Sequence, residues 1–172
     1  AEYLADLEFL APRSRYVTDK MPGNFRWIGM LLAALPEAKI VHVQRNPVAT
    51  CWSMYKRLFS ANGFTNDLDD LGEYYGLYAA LMAFWEDAVP GRIYSLDYER
   101  LTENQESETR ELLEYCGLPW EDACLDFHRT KRVVRTASSG QVRRKLYTGS
   151  SAAWRHFESH LGPLLARLKA TT

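Results

Sequence analysis

Residues 38–56 read AKIVHVQRNPVATCWSMYK. A short apolar run, Ile40, Val41, His42 and Val43, has the length and β-branched content of a strand. Gln44-Arg45-Asn46-Pro47 then leads into a helix, with Asn46 as its N-cap and Pro47 at its first position. The stretch therefore predicts a buried strand over residues 38–44 followed by a helix that carries Ser53. Arg45 falls at the carboxyl end of the strand, where open α/β sheets place their ligands. Ser53 follows eight residues later, roughly two helical turns on. A guanidinium offers a planar fork of donors to a phosphate, and a hydroxyl adds one more. Taken alone, the same pattern also describes a surface arginine or an ion-pair partner beside a helical serine with no special role.

Outward from that unit, apolar periodicity predicts an opening helix over residues 4–10 that stops before Pro12, and a short strand over 15–18. A helix follows over 25–35, with Asn24 as N-cap and Ile28, Leu31, Leu32 and Leu35 on one face. A long helix is expected over 68–88, its stripe of Leu71, Tyr75, Tyr78, Leu81, Met82 and Trp85 facing the core. Pro90-Gly91 breaks the pattern, and residues 92–96 read as a further strand. Residues 106–116 form a helix closed by Gly117. A short helix over 121–127 precedes a stretch without clean period, 129–150, read as a basic loop or lid. A final amphipathic helix spans 151–168. Strands alternating with helices argue for an α/β fold with a parallel sheet, in one domain over residues 1–172.

Of the 172 residues, 47% are hydrophobic and 25% charged, and the formal net charge is −1. That balance suits a globular domain and gives no global basic field for nucleic acid. Charge is nevertheless local, because residues 129–145 carry seven Arg or Lys and no acid. The three cysteines, Cys51, Cys116 and Cys124, lack metal-ligand spacing and read as buried free thiols of a reducing compartment. With no apolar run of membrane-spanning length and no secretory signal, the expected location is cytoplasmic, away from membranes. The chain opens on Ala1 in the middle of a helical pattern, which points to a fragment or a processed piece.

Four constellations, in this order, resemble the sulfotransferase superfamily, particularly its bacterial and tyrosylprotein branches. They are residues 17–25 (VTDKMPGNF); Gln44-Arg45-Asn46-Pro47 with Ser53; residues 96–101 (LDYERL); and residues 134–143 (VRTASSGQVR) followed by Trp154-Arg155-His156-Phe157. The resemblance implies a P-loop-NTPase-like parallel sheet flanked by helices. It also implies transfer of a sulfuryl group from 3′-phosphoadenosine 5′-phosphosulfate (PAPS) to a hydroxyl or amine, with no metal. It assigns Arg45 and Ser53 to the cofactor's 3′-phosphate and Tyr98 to its adenine. Lys20 goes to the catalytic centre, where positive charge meets the oxygen that gains charge as the S–O bond breaks. Ser138 falls near the transferring group and Arg143 among the cofactor contacts.

The sequence also departs from that pattern. Ala153 precedes Trp154 where a basic residue is expected, and Arg144-Lys145 replaces a proline-containing turn. No glycine-rich phosphosulfate loop precedes Val17, and no G-x-x-x-x-G-K-[ST] occurs. The sheet is thus expected to lack its first strand and loop, which an upstream segment or a second chain would supply. The general base is not identified, since His42, His128, His156 and His160 qualify by residue type alone; His42 reads as a core histidine. The acceptor, whether small molecule, carbohydrate or protein, is not legible. A non-catalytic nucleotide-binding or interaction module of the same fold, or a nucleotide-kinase-like transferase, are the alternative readings.

Overall fold

The computed structural model describes residues 2–10, 12, 14–57, 59, 63–130 and 143–170. Within them the chain is helix-rich α/β. Helix α1 (Glu2–Leu10) is followed by a 3-10 turn at Pro22–Trp27, helix α2 (Ile28–Ala34) and strand β1 (Ile40–Gln44). Helix α3 (Pro47–Tyr55), a 3-10 turn at Gly63–Asn66 and the long helix α4 (Leu68–Ala88) lead to strand β2 (Ile93–Asp97). Helices α5 (Tyr98–Glu103) and α6 (Gln105–Cys116) follow, then short 3-10 turns at Asp122–Cys124 and Phe127–Arg129. A 3-10 segment at Ala153–His160 and helix α7 (Gly162–Ala170) close the described chain.

The two strands pair in parallel, with Ile40 opposite Ile93 and Gln44 opposite Asp97. Helix α4 is the spine of the packing. Its Met82 joins Ile28 and Leu32 of α2 in one core, against which Trp85, Ile40 and Ile93 pack. Its Leu71 joins Cys51 of α3 and Leu164 of α7 in a second core. Close approach needs glycine twice. A Cβ on Gly72 would stand 2.6 Å from Arg167 Cβ, and one on Gly29 would stand 2.8 Å from the Trp85 ring. That ring is also anchored by its indole N–H, which donates to the Phe25 carbonyl at 2.8 Å.

The aromatic stripe of α4 is therefore core. The cap of α6 also follows expectation, because Gly117 takes the left-handed conformation at φ 68°. Four local expectations need correction. Residues 15–18 form exposed irregular chain with no strand pairing. The segment before α2 starts as a 3-10 turn at Pro22, so Asn24 lies inside that turn and Trp27 is the residue before the α-helix. The last helix is divided into the 3-10 segment and α7, with Leu161 fully buried between them. Finally, β1 is not buried on both faces: Val41 and Val43 are 37% and 55% exposed. An apolar run satisfies one covered face as readily as two, which is why the sequence did not distinguish them.

Candidate functional site

Parallel register sets the geometry of the site. Because Gln44 pairs with Asp97, the chain leaves both strands at the same end of the sheet, with Arg45 next on one and Tyr98 next on the other. The Arg45 guanidinium carbon lies 5.2 Å from the centroid of the Tyr98 ring, within cation–π range. Both exits turn at once into helices. Asn46 Oδ1 accepts from Ala49 N–H at 2.9 Å at the start of α3, and Asp97 Oδ1 accepts from Arg100 N–H at 2.8 Å at the start of α5. Glu99 ties the two exits together, its carboxylate accepting from Asn46 N–H at 3.3 Å. Arg45 and Tyr98 thus issue from a braced corner, with the donor-rich N-terminus of α3 beside them.

The other partners of Arg45 come from more than a hundred residues away in sequence. Its Nε–H donates to Ser151 Oγ at 3.0 Å, and its Nη2 donates to the Ser150 carbonyl at 2.9 Å and to Ser150 Oγ at 3.3 Å. Sequence reasoning missed both serines. The only local signal is Gly149-Ser150-Ser151, a run of small turn-forming residues, and Gly149 does take a φ of 85°.

The structure places the remaining predicted residues as follows. Ser53 lies half-buried in α3, and its hydroxyl meets no hydrogen-bonding partner among the described residues, Arg45 included. Lys20 is exposed on irregular chain between α1 and the first 3-10 turn. Its neighbour Asp19 accepts a 3.0 Å hydrogen bond from the Tyr3 hydroxyl. Arg143 is exposed and its guanidinium donates to the Thr130 carbonyl. Ser138 lies outside the described residues, as does most of the basic stretch. Of the predicted set, Arg45 and Tyr98 are brought together.

A groove of about 230 Å³ runs beside this corner, lined by Gln44 with Tyr75, Tyr78, Met82 and Glu86 of α4. Beneath it His42 Nε2 and the Tyr78 hydroxyl are 2.5 Å apart, and His42 Nδ1 is buried without a partner among the described residues. Burial lowers the His42 pKa, with Glu86 opposing, and burial raises that of Tyr78. Burial also pushes Cys51, in the core behind α3, up to about 12, the signature of an inert structural thiol. Among the described residues no three His, Cys, Asp or Glu side chains group as metal ligands, and no helix is long and apolar enough to cross a membrane.

Comparison with known proteins places the chain in a family. The sulfotransferase family model matches residues 2–122. An uncharacterized protein of Aquifex aeolicus (strain VF5) is 42% identical over 170 residues, covering 96% of this chain and 22% of that protein. The omega-hydroxy-beta-dihydromenaquinone-9 sulfotransferase Stf3 of Mycobacterium bovis is 32% identical over 115 residues, covering 62% of this chain and 30% of the enzyme. The chain thus spans less than a third of the length of these relatives. It belongs to the sulfotransferase family.

Proposed function

We propose that this sulfotransferase-family chain carries the nucleotide-anchoring part of an enzyme that transfers a sulfuryl group from PAPS to a hydroxyl or amine. The supporting observation is the convergence of Arg45 and Tyr98 at the carboxyl end of the parallel strands, set by the Gln44–Asp97 register. The donor set fits a phosphate. The guanidinium meets two serine hydroxyls, and the Glu99 carboxylate is turned onto the Asn46 backbone.

In this role Arg45 holds the 3′-phosphate, and the Ser53 hydroxyl, unpaired among the described residues, joins it. The Tyr98 ring packs against the adenine. Lys20 stands in an exposed segment with its ammonium available to an anion, and it stabilises the oxygen that gains charge during transfer. By the family resemblance, Ser138 serves near the transferring group and Arg143 among the cofactor contacts. PAPS supplies the sulfuryl group and departs as adenosine 3′,5′-bisphosphate. The acceptor is an alcohol or amine reaching the groove beside α4; the mycobacterial relative, by its name, acts on an omega-hydroxylated dihydromenaquinone.

Calorimetry tests this role. Adenosine 3′,5′-bisphosphate should bind in preference to ADP with magnesium, and Arg45→Ala should weaken it by about 10- to 100-fold, the scale of lost charge-assisted hydrogen bonds. Preference for magnesium ADP, or equal binding by Arg45→Ala, would contradict it.

A further inference from the structure

We infer that Ser150 and Ser151 are themselves ligand-binding residues of the 3′-phosphate seat, and that residues 143–151 are the arm that delivers them. The inference rests on the proposed role of Arg45. Three observations carry it.

First, Ser151 Oγ and Ser150 Oγ lie 3.0 and 3.3 Å from the Nε and Nη2 of one guanidinium, and the Ser150 carbonyl at 2.9 Å fixes the backbone there. Arg45 and the arm are thus a single preassembled unit, although 105 residues separate them in sequence. Second, a serine hydroxyl that accepts from a cation keeps its own proton to donate. Among the described residues nothing accepts the protons of Ser150 or Ser151, and both side chains are only half-exposed. Two O–H donors polarised by an adjacent positive charge, with no acceptor, form a site for an oxyanion. Third, the arm is locally positive. Arg143, Arg144 and Lys145 enter it without an acidic residue before Glu158, so a dianion drawn to Arg45 meets further favourable potential along the same segment.

A tetrahedral phosphate satisfies all of these groups together. One oxygen faces the guanidinium and others accept from the serine hydroxyls. Holding the phosphate through the serines also pins the arm over the nucleotide, since its backbone is tied at Ser150.

The test is the double variant Ser150→Ala with Ser151→Ala, titrated calorimetrically with adenosine 3′,5′-bisphosphate and with 5′-AMP, which lacks only the 3′-phosphate. Affinity for the bisphosphate should fall on the order of tenfold, the scale of one charge-assisted hydrogen bond, while affinity for 5′-AMP stays unchanged. The variant Ser150→Thr with Ser151→Thr, which keeps both hydroxyls, should recover most of the loss. Unchanged or tighter bisphosphate binding in the alanine variant overturns the inference and leaves Arg45 as the seat, with the serines a structural clasp. Equal losses for both nucleotides overturn it too, because they report a damaged fold. If the unmodified chain itself does not discriminate the bisphosphate from 5′-AMP, the role of Arg45 falls and this inference with it.

Discussion

His42 shows how a single side chain links the sheet to the groove. Its imidazole is held against Tyr78, and burial disfavours its charged form. Glu86 and the Tyr78 hydroxyl face it from α4, and Ser95, opposite it in β2, donates to Glu86 at 3.3 Å. A depressed histidine pKa means that the unfolded chain takes up this proton first as the pH falls. Stability from His42 is therefore complete above its ordinary pKa near 6.5 and is lost as the pH drops toward the lower folded value. Proton-detected titration should show the His42 ring still neutral at pH values where an ordinary histidine is charged. The melting temperature of His42→Asn should also fall less than wild type between pH 7.5 and pH 5.5. A His42 ring that titrates at or above the ordinary value would contradict the burial assigned to it.

At the scale of elements, two features bear on the site from different directions. Asn46 both begins α3 and borders Arg45, accepting from Ala49 N–H while donating its own N–H to Glu99. Asn46→Ala should cost about 1 kcal/mol of stability, the usual loss for an N-cap, and should weaken nucleotide binding because the start of α3 fixes the angle at which Arg45 leaves β1. Denaturant unfolding and calorimetry on the same sample check the two effects. Wild-type affinity in that variant would show that the cap does not position the arginine. Gly72 marks the α4–α7 contact. Gly72→Ala should lower stability by about 1–3 kcal/mol through overpacking against Arg167, read from the urea midpoint. Nucleotide affinity should stay near wild type, since that contact involves none of the residues around Arg45.

Helices with strong local signals were legible in the sequence. α4 carries an apolar stripe from Leu71 to Trp85 along a 21-residue helix, and α3 and α6 carry an Asn-Pro start and a glycine stop. Segments whose conformation depends on distant packing were not legible. Residues 15–18 have strand composition but no neighbouring strand to pair with among the described residues. Residues 153–160 have helical periodicity but tighten into a 3-10 segment.

For the molecule as a whole, the same division runs through the candidate site. Arg45 was readable because it directly follows a strand; Tyr98 was readable through resemblance, and parallel pairing brings the two positions together. Ser150 and Ser151 were not, because a contact across 105 residues leaves no trace in local periodicity. Lys20 was readable only through resemblance, whereas Ser53 was singled out by its place two helical turns beyond Arg45; neither side chain meets a hydrogen-bonding partner among the described residues. Two strand exits, two helix starts and the distant pair Ser150-Ser151 meet at one corner beside the α4 spine. With a net charge of −1, attraction for an anionic ligand must come from that corner and not from the molecule's overall field.

In the proposed role this corner holds a 3′-phosphate. The most direct measurement is phosphorus NMR of adenosine 3′,5′-bisphosphate, whose two phosphates give separate resonances. With the wild-type chain the 3′ resonance should shift and broaden more than the 5′ resonance, and in Arg45→Ala the 3′ perturbation should disappear. A 5′ resonance that moves most, or a 3′ perturbation that survives the loss of Arg45, would contradict the account.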